Sequence, residues 1–261
     1  MLLDSKSNME KVIEFSNNFP NQKLYKISFS LTFVDCSKEI KMDEDFKKNI
    51  IKTGTTILGI VCKEGVIIAA DRKMTVGGSI VMGKNTRKVF PVNDYLIIAG
   101  TGMVSDIDRV PKILAAELKL KELRSKSRPT VKDAASLLAN MNYSGIRQPS
   151  MIPQQAGFLL AGLNEDGSAE LYTVEPAGSS VLVEDYDANF GSGMPYVLGY
   201  LERQYKKGVS VKEGIELAKE AIKASSQRDT ASGHGIDIYT LTKEGIKKVV
   251  AQTVESVYKD Q

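Results

Sequence analysis

Two apolar runs, 56–63 and 66–73, meet at Glu64-Gly65 and predict a β-hairpin. Shorter strand-like runs follow at 80–82 with 88–92, and then at 95–99. Beyond them the period changes. Val104, Ile107, Val110, Leu114 and Leu118 recur every three or four residues, the spacing of one helix face. Pro111 within that stripe predicts a kink or a late start, because proline lacks the N–H that a helix interior needs. A second helix opens at the cap-like Thr130-x-x-Asp133 and continues through Ala134, Leu137, Leu138 and Met141. Strand patterning returns at 156–163, at 170–174 after the turn Glu165-Asp166-Gly167, and at 180–185. One further helix carries Pro195 in its first turn and stops at Gly208. The next opens with the capping box Ser210-x-x-Glu213 and runs to about Gln227. Strands at 236–242 and 246–251, joined by Lys243-Glu244-Gly245, close the pattern.

The order is strands, two helices, strands, two helices, strands. Grouping of this kind predicts an α+β fold of antiparallel sheets covered by helix pairs, not a doubly wound alternation. Strands that read as continuous apolar runs are buried on both faces. The expected architecture is therefore a four-layer αββα sandwich, two sheets face to face with a helix pair outside each.

Residues 1–54 differ from the rest, being polar, rich in Lys and Asn, and aperiodic except for a strand-like stretch at 24–34. They read as a removable lead ahead of a mature domain at 55–261. Translation starting at Met42 would leave the shorter lead 42–54.

Composition narrows the function classes. At 261 residues the chain is long enough to bury a large core. The net charge of +3 comes from 35 basic and 32 acidic residues that are interspersed, with no basic block of the kind that binds nucleic acid. The N-terminus lacks a secretory pattern, and no apolar run approaches membrane-spanning length, so a soluble cytoplasmic protein is expected. The two cysteines, Cys36 and Cys62, show neither a disulfide framework nor metal spacing, and no metal or organic cofactor is expected.

The chain has one histidine, His234, so a Ser-His-Asp hydrolase is a poor fit. Gly54-Thr55 offers another chemistry. Cleavage of that bond would leave Thr55 with a hydroxyl nucleophile and a free α-amine, whose reference pKa of about 7.7–8.0 suits a general base. Gly54 lacks a Cβ and tolerates strained backbone, which eases approach of the hydroxyl to its carbonyl. Standing alone, a Thr at a strand start is usually no more than a strand former. Asp71 ends the second apolar run, and Lys88 heads a later one. Asp71 can be read as no more than a strand leaving the core, and Lys88 as a solvated lysine. If Lys88 points inward it needs a carboxylate, and Asp71 is the nearest candidate. Gly191-Ser192-Gly193 suits a tight turn ahead of a helix, and Arg228-Asp229-Thr230-Ala231-Ser232-Gly233 ends one with two hydroxyls and a carboxylate. The stretch 98–105 imitates a dinucleotide fingerprint, but Ser105 stands where the third glycine belongs and no βαβ unit surrounds it.

Taken together, these motifs resemble the proteasome β subunits, most closely the archaeal type, which are N-terminal-nucleophile hydrolases with an αββα fold. The motifs are Gly-Thr-Thr-x-x-Gly at 54–59, Ala-Ala-Asp-Arg at 69–72, Lys-Asn-x-x-Lys at 84–88, Ile-Ala-Gly at 98–100, Gly-Ser-Gly at 191–193 and Arg-Asp-x-Ala-Ser-Gly at 228–233. The resemblance spans residues 55 to about 253. It implies that Thr55 is the nucleophile, freed by autocatalytic cleavage after Gly54, and that its amine is the base. It implies that Lys88 supplies positive charge, that Asp71 pairs with Lys88, and that the Gly100 N–H serves an oxyanion hole. Ser192, Asp229 and Ser232 would organise the amine and a water. Met74, Thr86 and Ile98 would shape a substrate pocket that favours cleavage after hydrophobic residues. His234 departs from the small residue usual after Ser-Gly.

The function implied is a threonine endopeptidase of the proteasome core that hydrolyses unfolded proteins. Its partners would be α subunits and other β subunits in stacked seven-membered rings, with a regulatory ATPase feeding substrate. The alternative is a non-catalytic β subunit of a mixed ring, which an uncleaved lead would favour. Another amidohydrolase of the same nucleophile class fits the combined motifs less well.

Overall fold

The computed structural model describes residues 54–77, 79–150 and 152–254. The strand expected at 24–34, Cys36 and all of the lead before Gly54 lie outside those residues.

Strands β1 (Ile57–Cys62) and β2 (Gly65–Asp71) form the first hairpin, with Cys62 opposite Gly65. The turn is thus Lys63-Glu64, and Gly65 already belongs to a strand. Its missing side chain serves a close approach. A Cβ there would lie 2.1 Å from the carbonyl oxygen of Leu241 on β11 (Gly235–Thr242). With β10 (Tyr186–Asp187) and β12 (Gly245–Thr253) these strands form one antiparallel sheet, in the order β10-β1-β2-β11-β12.

The second five-stranded sheet is also antiparallel. It runs β5 (Val89–Pro91), β6 (Leu96–Gly102), β7 (Ala156–Leu163), β8 (Ala169–Val174), β9 (Ser180–Val183). The segments at 80–82 and 88–92 do not pair with each other. The chain leaves the first sheet at Arg72, forms the separate hairpin β3 (Met74–Val76) with β4 (Ile80–Gly83), and then enters the second sheet at β5.

Among the described residues there are four helices. The first, α1 (Val104–Ser125), starts at Val104 and contains Pro111, so the late start is not seen. Pro111 is buried in its core-facing stripe beside Ile107, Val110, Leu114 and Leu118. Helices α2 (Val131–Arg147) and α4 (Val211–Arg228) both begin with reciprocal capping boxes, Thr130 with Asp133 and Ser210 with Glu213. Helix α3 (Met194–Gln204) has Pro195 in its first turn and ends before Gly208, at the Tyr205 cap. None of the described helices is long and apolar enough to cross a membrane.

The apolar residues sort into three buried clusters. One joins Ile57, Ile68 and Ala70 of the first sheet to Ile97, Leu159 and Leu171 of the second. Another packs Ile98, Phe158 and Leu160 against Leu114 of α1 and Leu138 of α2. The third packs Leu58, Ile67 and Ile238 against Val197 of α3 and Ile222 of α4. Alternation along the strands supplies both faces. Ile57 and Leu58, or Ile97 and Ile98, are adjacent in sequence yet serve different clusters.

Candidate active site

Thr55 stands just ahead of β1, beside the end of β2. The register brings Ile57 opposite Ala70, so Thr56 falls next to Asp71. The Asp71 N–H donates to the Thr56 carbonyl at 3.1 Å, and the Thr56 N–H donates to Asp71 Oδ1 at 2.8 Å. Thr55 itself is buried, and its hydroxyl donates to the carbonyl oxygen of Gly54 at 2.8 Å. The Gly54 N–H donates to Thr75 Oγ1 on β3 at 3.3 Å.

Asp71 is the electrostatic centre of the site. Its Oδ1 accepts from Lys88 Nζ at 2.6 Å as well as from Thr56, and its Oδ2 accepts from the N–H groups of Lys73 at 3.0 Å and Gly233 at 2.9 Å. Four donors on one carboxylate fix its position and orientation. Both members of the ion pair are buried, with the Lys88 side chain 4% and that of Asp71 0% exposed. Burial pushes the Lys88 ammonium below its ordinary range, and the adjacent Asp71 charge opposes that shift.

On the opposite side of Thr55 lies a chain of hydroxyls. The Thr55 N–H donates to Ser192 Oγ at 3.1 Å, and Ser192 Oγ donates to Asp229 Oδ2 at 2.6 Å. Ser232 Oγ donates to the same oxygen at 2.5 Å and contacts Thr56 Oγ1 at 2.6 Å. Thr56 Oγ1 also lies 2.6 Å from Ser225 Oγ on α4. Asp229 is placed by its position as the C-cap of α4, where its N–H donates to the Ser225 carbonyl. Gly193 must be glycine at this point, since a Cβ would sit 1.8 Å from Thr56 Oγ1 and 2.1 Å from Ser225 Oγ.

A cavity of about 460 Å³ opens beside Thr55. Gly54, Thr55 and Lys88 line it, with Met74, Thr86, Phe90, Val104 and Ile107 among the walls. Met74 and Thr86 thus share a cavity with Thr55. Ile98 is fully buried on β6, packed in the cluster with Ile107 and Phe158. The Gly100 N–H donates to the Lys88 carbonyl at 3.0 Å, across the β5–β6 ladder, so in this structure that donor is engaged.

His234 adopts a left-handed backbone (φ 59°) between two glycines. Partial burial and the nearby charges of Lys73 and Lys84 hold its imidazole below its ordinary pKa, with Asp71 opposing. Ser192 and Ser232 both turn to Asp229. The 98–105 stretch lies on β6 and the start of α1, where β6 pairs antiparallel with both neighbours. Cys62 is buried, and burial pushes its thiol up to about 12, which makes it a poor nucleophile. Among the described residues no group of three or more His, Cys, Asp or Glu converges as a metal site would require.

Sequence reasoning missed Thr56, Thr75, Ser225 and Asn189, all buried polar residues around this centre. Ser225 and Asn189 lie in polar stretches with no local signal, and all four gain meaning only from their three-dimensional neighbours.

The family model for proteasome subunits matches residues 51–241. The chain is 39% identical over 195 residues to a proteasome subunit beta of Nanoarchaeum equitans, covering 75% of this chain and 96% of the relative. It is 38% identical over 218 residues to a proteasome subunit beta 2 of Pyrococcus abyssi, covering 84% and 98%. It is 34% identical over 205 residues to a proteasome subunit beta of Methanopyrus kandleri, covering 78% and 95%.

Proposed function

The chain belongs to the proteasome β-subunit family, and from that premise we propose that it is a catalytic member, a threonine endopeptidase made active by its own cleavage at Gly54–Thr55. The observation that carries this reading is the Thr55 hydroxyl, 2.8 Å from the carbonyl oxygen of Gly54 and in the same cavity as Lys88.

Self-cleavage proceeds by attack of Thr55 Oγ1 on the Gly54 carbonyl carbon. The C–O bond forms, the C–N bond breaks, and the hydroxyl proton passes to the departing nitrogen. The product is an ester on Thr55 with a free α-amine, and water hydrolyses the ester to release the lead. The freed amine then takes the proton from the same hydroxyl when a substrate carbonyl arrives. It later returns that proton to the leaving amine, and water completes a second ester hydrolysis. Lys88 lowers the energy of the negative oxygen in each attack, and Asp71 keeps Lys88 in place. Ser192, which gives its proton to Asp229, presents a lone pair to the Thr55 nitrogen and fixes its direction. The Gly100 N–H acts as an oxyanion donor when its bond to the Lys88 carbonyl is shared with or yielded to substrate.

The cavity's Met74, Phe90, Val104 and Ile107 support a preference for a hydrophobic residue ahead of the cut bond. Apolar clusters between the sheets and under each helix pair support the αββα sandwich as the architecture. In this reading the lead 1–54 is a propeptide, the chain works in the cytoplasm within stacked β rings capped by α subunits, and an ATPase feeds it unfolded protein. No metal takes part.

Intact-mass measurement of the assembled protein tests the proposal. Wild type should begin at Thr55, whereas Thr55→Ala should keep its lead and lose turnover of a fluorogenic peptide with a hydrophobic residue before the cut. Turnover retained in Thr55→Ala would end the assignment.

A further inference from the structure

Asn189 stands two residues beyond β10, the edge strand of the first sheet, yet its side chain is bound into the second. Its Nδ2 donates to the Phe158 carbonyl on β7 at 2.9 Å and to Thr173 Oγ1 on β8 at 2.8 Å, and lies 3.2 Å from the Val174 carbonyl. Its Oδ1 accepts from the N–H of Phe190 at 2.7 Å, locking the start of the next turn. The residue is 4% exposed and has φ 47°, a left-handed backbone that Asn tolerates better than most residues. The opposing strand is cut to fit it. At Gly157 a Cβ would lie 2.2 Å from Asn189 Oδ1, so the second sheet leaves a notch for this amide.

The turn that follows reaches Thr55 directly. A Cβ on Gly191 would lie 2.5 Å from the Thr55 carbonyl oxygen, Ser192 Oγ accepts the Thr55 N–H at 3.1 Å, and the Gly193 N–H points to the Thr55 carbonyl at 3.4 Å. The segment from Asn189 to Gly193 is thus anchored at one end in the second sheet and meets the nucleophile at the other. We propose that Asn189 is a positioning residue for the Thr55 chemistry. It holds the Gly191-Ser192-Gly193 turn at the height from which Ser192 directs the Thr55 nitrogen.

This inference rests on the reading of Thr55 as nucleophile. A slack turn would leave the cavity walls Met74, Phe90 and Ile107 in place, so substrate binding should hold while chemistry suffers. The lone pair of Ser192 also favours the protonated amine. Withdrawing it lowers the amine's pKa, so the acidic limb of kcat/KM should move to lower pH.

The test uses the assembled protein and three variants. Asn189→Gly keeps the left-handed backbone accessible and removes the amide. Asn189→Ala removes both. Thr173→Val deletes one partner with little change of shape. Per folded active site, Asn189→Gly and Asn189→Ala should lower kcat about tenfold with KM within twofold, slow release of the lead, and shift the acidic limb downward. Thr173→Val should lower kcat two- to threefold in the same sense. A role confined to stability would lower the yield of folded protein but leave kcat per site and the pH limb unmoved. Wild-type kcat and an unmoved limb in Asn189→Gly would overturn the proposal. If neither Asn189 variant folds, the same result in Thr173→Val would overturn it. Thr55→Ala run in parallel separates the two claims. Its retained activity would remove the nucleophile assignment itself, while an inactive Thr55→Ala beside an unaffected Asn189→Gly removes the strut alone.

Discussion

Asp71 and Lys88 are a buried pair whose members are not equivalent. Asp71 has three backbone N–H donors besides the lysine, so deleting the Lys88 charge leaves a carboxylate that is still well solvated by protein. Deleting the Asp71 charge leaves an ammonium that is fully buried, and breaking a buried pair in that way costs up to about 3–5 kcal/mol. Part of that cost is avoided by deprotonation, because burial already draws the Lys88 pKa down and loss of Asp71 removes the main opposing charge. Asp71→Asn is therefore expected to lower the urea midpoint more than Lys88→Met. Both should reduce peptidase activity by at least tenfold, since each removes the positive charge beside Thr55. The reverse order of midpoints would mean that the backbone donors do not stabilise the carboxylate.

The helices illustrate what local spacing can encode. In α2, Thr130 Oγ1 accepts from the Asp133 N–H at 3.1 Å, and the Asp133 carboxylate accepts from the Thr130 N–H at 3.0 Å. Hydrogen bonds from Lys121 and then from Thr130 hold the Asp133 carboxyl at about 2, below its unfolded value of about 3.9. A carboxyl depressed by folding adds stability that is complete above the unfolded pKa and fades as pH falls toward the folded one. Asp133→Ala should thus cost about 0.5–1 kcal/mol at pH 7, a figure kept low because the side chain is 43% exposed. The gap from wild type should narrow between about pH 4 and pH 2. Urea titrations at pH 7 and pH 3 would check this, and a gap that is constant with pH would point to packing and not charge. The capping boxes and long strands were legible because their signals span three or four residues. Strands β3 and β10 were not, since three and two residues carry no period and their partners come from elsewhere in the chain. At the site, Thr55, Asp71 and Lys88 could be singled out as chemistry at strand ends. Ser225 and Asn189 gain meaning only from contacts 169 residues away in one case and 31 in the other.

Across the whole molecule, the site sits at one end of the seam between the two sheets. Thr55 and Asp71 belong to the first sheet's strand ends, Lys88 leads into the second, and Asn189 ties the two together. The apolar seam and the polar site therefore separate along the strands. Leu159 lies fully buried in the seam, opposite Ala99 on β6 and Thr173 on β8. Truncating it leaves a cavity, and such changes cost about 2–5 kcal/mol. The buried cluster around it is apolar, whereas the candidate catalytic groups are held by directional bonds, four on Asp71 and two serine hydroxyls on Asp229 Oδ2. Leu159→Ala is accordingly expected to lower the unfolding midpoint strongly while kcat and KM of the folded fraction stay within twofold of wild type. A fall in kcat that tracks the stability loss would mean that sheet-to-sheet packing itself sets the distance between Thr55 and Lys88. In that case the polar network would follow the core and not fix the site independently.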